Sequence, residues 1–235
     1  MPLVLAVLGL ASLAGAVLLL RSVGPAYRVA RLLAATPEVT LTEAIALAGG
    51  PARRYVRITG RISSDEEFPD EHDRPLVFRR RRVATEAGAR RRILSDVREA
   101  VPFGIELRSE YLAVDGEALG DGLVVIVREA FGTGAELPPE LRSMVAPEAP
   151  VRVLVEQVSA VEHATAAGVP VLGPDGLPLL GPGLGRPLIL TTLELPAAMR
   201  VLARGKRRVV VAAAALLVCG PAFLAAAVVT AIVAA

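Results

Sequence analysis

Two long uncharged stretches bracket this chain and limit what the residues between them can become. Pro2 to Leu20, PLVLAVLGLASLAGAVLLL, would span about 28 Å as a helix rising about 1.5 Å per residue, close to the thickness of a bilayer core. Val209 to Ala235, VVVAAAALLVCGPAFLAAAVVTAIVAA, is a second and longer run. A backbone crossing lipid has to satisfy its own hydrogen bonds, so both are predicted to be helices, the second bent at Gly220-Pro221. No Lys or Arg precedes the first run and no small-x-small site follows it, which disfavours a cleaved signal peptide.

The flanking charges give these spans a direction. Arg21, Arg28 and Arg31 follow the first, and Arg204, Lys206, Arg207 and Arg208 precede the second. Positive flanks stay on the cytoplasmic side, so the expectation is a multi-pass protein of the cell membrane with its central domain cytoplasmic and both termini outside. The expected division is a transmembrane helix over 2–20, a juxtamembrane helical segment over 21–50, a β-domain over 51–200 and a second transmembrane helix over 209–235. The single cysteine, Cys219, falls inside the second run and reads as a small apolar packing residue.

Between the spans the pattern changes. Thr40 with Glu43 three residues on forms a capping box, and Gly49-Gly50 stops the short helix that follows. From Val56 the period is two: Val56, Ile58, Gly60 and Ile62 alternate with Arg57, Thr59 and Arg61. Further strands are predicted over 76–83, 91–97, 101–108, 111–115, 123–129, 151–161 and 188–192. Their shortness and their Gly, Pro and acidic turns argue for a small all-β barrel or sandwich with helical edges, anchored between two transmembrane helices. The segments 132–150 and 173–187 read as surface connections.

Within this pattern lies FRRRR, Phe78 to Arg82. If 77–83 and 91–97 pair around a turn at 86–89, the register sets Arg79 opposite Asp96 and Arg82 opposite Ile93. Side chains on a strand alternate faces, so Arg79, Arg80, Arg81 and Arg82 cannot form one patch. Six carboxylates between Asp65 and Asp73 precede them, and a charge-compensated hairpin is the simplest account. Contact with a partner protein or with anionic headgroups through Arg79–Arg82 and Arg90, Arg91 and Arg92 is the functional alternative. Nucleic acid is disfavoured as a partner, because the chain lacks a helix-turn-helix or RNP-like motif and has few aromatic side chains to stack on bases. The formal net charge of +2 gives no global field that selects a polyanion.

Catalytic signatures are sparse. The chain has no G-x-S-x-G, H-E-x-x-H or C-x-x-C, and RGKRR lacks the glycine spacing and the Ser or Thr of a P-loop. GPGLGRP is interrupted by prolines and reads as a loop. His72, between Asp70 and Asp73, is the one grouping of metal-ligand types, in a loop expected to stay solvated. His163 is expected on a strand or at its end. No cofactor is implied.

The ordered motifs ATPEVTLTEAIALAGGPARRYVRITGRI, RPLVFRRRRV, VPFGIELRSEYLAVD and RPLILTTLE, followed by a basic flank and a hydrophobic helix, resemble the GIDE domain, also called BAM, "beside a membrane". The similarity covers roughly residues 25 to 235. It implies a module between two transmembrane helices, best known from mitochondrial membrane ubiquitin ligases, where it engages substrates and partners. Glu106, Ser109 and Glu110 depart from the family's turn, and Val161, between Glu156 and Glu162, stands where the family has Gly. The ligases also carry a RING domain needing eight Cys and His ligands, whereas this sequence holds one Cys, His72 and His163. The expected function is therefore a non-enzymatic, membrane-anchored scaffold that recruits a membrane or cytoplasmic protein. The alternative is a component of a ubiquitin-ligase-like or protease complex, and homo-oligomerisation is left open.

Overall fold

The computed structural model describes residues 2–87, 90–120, 122–203 and 207–233. The chain divides into two units, Met1–Ala34 with Met199–Ala235, and Ala35–Ala198.

The first unit is helical. α1 runs over Pro2–Ala35 and α5 over Arg207–Val233, while α4, Leu195–Ala203, crosses the unit boundary. Leu3–Arg21 and Val209–Ile232 are long and apolar enough to cross a membrane, and only 11% of each window is buried. Leu3, Leu10, Leu18, Val211, Val218 and Ile232 all stand exposed, an apolar surface that water does not tolerate at this extent. The apolar span passes without interruption into the expected juxtamembrane helical segment. α1 continues to Ala35 and gives way just before Pro37, whose ring and missing N–H disfavour further helix. α5 runs through Pro221.

These two helices meet through small residues. Gly9 and Ala16 on α1, and Ala213, Gly220 and Ala227 on α5, are buried, and within each helix they recur every seventh position. A Cβ on Gly9 would come within 2.7 Å of the Leu224 side chain and 3.0 Å of the Gly220 carbonyl oxygen. Such close backbone approach is how helices associate where no hydrophobic drive separates them from their solvent. Cys219 is exposed, which corrects its expected packing role: the neighbouring Gly220 occupies the packed side of α5.

The second unit is a β-domain. α2, Leu41–Ala48, starts at Thr40 with the predicted capping box, and its buried Leu41 and Ala44 join the main core. β1 (Val56–Ser63), β5 (Phe103–Leu107), β6 (Glu110–Val114), β11 (Pro178–Gly181) and β10 (His163–Leu172) close into a five-stranded barrel, because β10 pairs with both β11 and β1. β12 (Ile189–Thr191) and β7 (Leu123–Val124) continue this sheet from β10. Ile58, Ile62, Phe103, Ile105, Leu112, Leu180 and Leu188 fill the interior.

Two strands of the barrel are ones that periodicity does not announce. β10 reads HATAAGVPVL, poor in β-branched and aromatic residues, and β11 lies inside the stretch expected to be a connection. Their small residues permit close approach: a Cβ on Gly168 would sit 2.7 Å from the Gly181 carbonyl oxygen. Tyr55 ties this region together, its hydroxyl 3.1 Å from the Ala167 carbonyl and 2.6 Å from that of Pro187. Burial pushes the Tyr55 phenol up to about 12, against the opposing pull of the Arg186 guanidinium.

A second, five-stranded sheet forms a half-barrel. It holds β2 (Phe68–Pro69), β3 (Pro75–Ala87), β4 (Arg90–Ala100), β9 (Pro150–Ser159) and β8 (Arg128–Thr133), with β3 paired to both β4 and β9. Residues 132–150 are more than a connection. They contain a 3-10 turn, Gly134–Glu136, and α3, Pro139–Arg142, which bring Leu137 and Leu141 onto Val83, Leu94 and Val151 as a second small core.

Candidate binding surface on the half-barrel sheet

Alternation along β3 sends the arginines to opposite faces of the sheet. Arg80 and Arg82 share a face with Phe78, which enters the main core with Val158 of β9. The opposite face carries Arg79 and Arg81, with Val155 and Gln157 beside them on β9.

The hairpin register differs from the expected one. Arg79 lies opposite Glu99 and Arg82 opposite Asp96, a displacement of three residues. The strands run on to Ala87 and from Arg90, which moves the centre of the turn, and a bulge between Val83 and Ala84 adds one more residue on β4, at Leu94. Leu94 is buried in the second small core, so the extra residue is anchored by packing. Residues 88 and 89 of the expected turn lie outside the described residues.

On the first face Arg80 and Arg82 are paired within the sheet. Arg80, only 8% exposed, makes a bidentate pair with Asp96, Nε to Oδ1 at 2.8 Å and Nη2 to Oδ2 at 2.6 Å. This holds the Asp96 carboxyl below the usual carboxylate range. Arg82 donates to Glu156 at 2.8 Å, and Arg152 pairs with Glu129. Arg82 Nε, Arg152 Nε and Glu156 Oε2 remain buried without partners among the described residues. The compensating carboxylates thus come from β4, β8 and β9, and not from the acidic run at 65–73.

That run has another use. Asp70 accepts from the backbone amides of His72 and Arg74 and from the Arg74 guanidinium at 2.8 and 2.5 Å. These donors hold its carboxyl well below the usual range and fix the β2–β3 turn, in which Asp73 adopts φ 57°. His163 is the first residue of β10 and faces Arg61 of β1 in register.

The opposite face is covered at its Val83 and Val151 end by the second small core and is open around Arg79 and Arg81. Across the sheet, Val97 of β4, Arg81 of β3, Val155 of β9 and Arg128 of β8 form one row in register, followed by a row of Glu99, Arg79 and Gln157. Together with Glu71 they line a cleft of about 490 Å³. It adjoins a second cleft of about 530 Å³, which shares Arg128, Val155 and Gln157 and extends to Ile126, Val161 and Thr192. Arg79 is held by Glu99 at 2.5 Å and lies over the Phe68 ring. Arg128 approaches Asp70 only to 4.0 Å. Arg81 is exposed and makes no ion pair with a described residue.

Among the seven expected contact arginines, the structure therefore separates Arg80 and Arg82, used within the sheet, from Arg79 and Arg81 on the groove. Arg92 is exposed opposite Thr85; Arg90 and Arg91 lie in register with Ala87 and Glu86, and their side chains fall outside the description. Arg128, Val155 and Gln157 were not foreseen as contact residues. The alternation V-R-V-L-V-E-Q-V from Val151 to Val158 carries the two β9 residues, but no local signal places Arg128 beside them. Compared with models of protein families, with curated proteins and with solved structures, the chain matches none.

Proposed function

We propose that this chain is a non-enzymatic, membrane-anchored interaction module whose β-domain receives a segment of a partner protein in the groove of the half-barrel sheet. α1 and α5 anchor it as a two-span hairpin, with the β-domain on the cytoplasmic side. The row Val97–Arg81–Val155–Arg128 carries the reading. It alternates apolar contact with guanidinium groups, and Arg81 has no ion pair among the described residues. The partner it suits is an extended segment whose carboxylates meet Arg81 and Arg128 while apolar side chains cover Val97 and Val155. The likeness of the ordered motifs to the GIDE domain agrees with a recruiting role.

The test is crosslinking in intact membranes, comparing the native chain with Arg81→Glu and Arg128→Glu. A discrete protein captured by the native chain and lost from both folded variants is the expected result. Capture that is unchanged by either charge reversal sinks the groove as the contact surface.

A further inference from the structure

The two clefts on the half-barrel sheet differ in chemistry. In the cleft of about 490 Å³, Arg79 is paired with Glu99 and Glu129 with Arg152, which leaves Arg81, Arg128 and Glu71 as its other charged groups. In the cleft of about 530 Å³, the Arg74 guanidinium is tied to the buried Asp70 carboxylate, which Arg128 also approaches to 4.0 Å. Glu162 lines this second cleft and not the first. Carboxylates of an occupant therefore have their place at Arg81 and Arg128, and Glu162 turns them away from the remainder of the groove. The β-domain as a whole has more acidic than basic side chains, so this local arrangement, and not a general field, selects the position of an anion.

What the second cleft offers instead is apolar. Leu76 and Val125 are buried in its wall and Leu193 is half-buried, while Ile126 at 67% and Val161 at 56% exposure stand at its surface. Exposed apolar side chains are ordinary when scattered singly, but here two of them share one cleft with three covered ones. Ile126 lies between β7 and β8 and Val161 between β9 and β10, so paired strands fix both ends of each connection.

Spacing links this apolar cleft to the arginines. Arg81 and Arg128 lie two strands apart in one row, about 10 Å. Ile126 stands two residues before Arg128, at most about 7 Å of chain. An extended chain of the polyproline type, with three residues per turn and about 3.1 Å rise, brings every third side chain to one side, about 9 Å apart. Acidic side chains at two such positions reach Arg81 and Arg128, and an apolar one at the next falls beside Ile126.

We propose that the second cleft is the anchor pocket for the partner segment, with one large apolar side chain seated between Ile126 and Val161. The recognition element is then a short extended stretch carrying acidic side chains at every third position and an aliphatic or aromatic residue at one end. This rests on the proposed function, which sets a partner segment on Arg81 and Arg128. It adds the side chain that contributes most of the affinity and fixes the direction of the segment along the groove.

Fluorescence anisotropy of labelled peptides on the full chain in detergent micelles tests the anchor, with the signal of empty micelles subtracted. The probes are ESSESSL and its reverse, LSSESSE, each compared with the same peptide carrying Ser for Leu. One of the two directions should bind about tenfold tighter than its Ser form, the loss that goes with one buried aliphatic side chain. Ile126→Ser and Val161→Ser should each remove most of that preference and leave the weaker binding of the Ser peptide unchanged. Both positions are exposed, so the fold should tolerate the changes. Arg81→Gln should weaken both peptides, and Arg92→Gln neither. Equal binding of the Leu and Ser forms in both directions, or a preference unchanged in both Ile126→Ser and Val161→Ser, overturns the anchor and leaves the groove itself standing. No binding of any of these peptides, or binding that survives both Arg81→Gln and Arg128→Gln, overturns the groove and the anchor together.

Discussion

Removing the Arg82 guanidinium leaves the Glu156 carboxylate, 10% exposed, with no other partner among the described residues. Arg82→Ala should therefore cost about 2–3 kcal/mol of β-domain stability, the low side of what a broken buried pair costs, since Arg82 is itself 25% exposed. Arg81→Ala, one residue away, should stay within about 0.5 kcal/mol. Denaturant titration of the full chain in micelles compares the two, and equal losses would contradict the division of faces. Reversing all four arginines at once would confuse unfolding with lost binding. Tyr55 gives a separate signature. Its phenol is neutral in the fold up to about 12 and ionises near 10 when unfolded, so its contribution is intact below pH 10 and is lost as pH rises to 12. Tyr55→Phe should remove that alkaline step and cost about 1–2 kcal/mol at neutral pH, through the carbonyls of Ala167 and Pro187. Asp70 has the opposite sign: its depressed carboxyl stabilises the β2–β3 turn above about pH 4 and ceases to as pH falls further. Asp70→Asn should flatten that acid limb, which a flat pH profile of the native chain would refute.

At the scale of elements, the helix pair depends on its glycines. Gly9→Leu or Gly220→Leu should separate α1 from α5, because each new side chain enters space held by Leu224 or Leu13. Loss of a disulfide between cysteines placed at the crossing in an otherwise native chain would report it, and undiminished crosslinking would argue against close packing. Much of this level was legible in the sequence. The capping box before α2 is local, and the alternation of β1 needs only eight residues. β10 and β11 were not legible, because their Ala, Gly and Pro residues are chosen by neighbours such as Gly181 and Leu188 that lie far along the chain. The hairpin arginines fail for the same reason. Their faces follow from alternation, but the partner of Arg82 is 74 residues away, and the bulge at Leu94 shifts the register through a contact with a core that no spacing reveals. The bulge also serves the edge strand. β4 is kinked where another strand would otherwise add to it, so the open face of the sheet is a better landing surface than its rim.

Over the whole molecule, charge is divided between a β-domain with more acidic than basic side chains and a helical unit whose charged side chains are all basic. A reporter fused after Ala235 and active only in the cytoplasm should be silent, and activity there would contradict the two-span hairpin. The crossing of Gly9 and Gly220 has a consequence in time. A ribosome adding roughly 5–20 residues per second delivers Gly220 on the order of 10–40 s after Gly9. For that interval the small-residue stripe of α1 has no mate from its own chain, while the β-domain is already emerging and able to fold. Another copy's α5, finished slightly earlier, meets the same stripe, so crowded synthesis on one message would favour exchanged pairs, and sparse synthesis would favour chains that close on themselves.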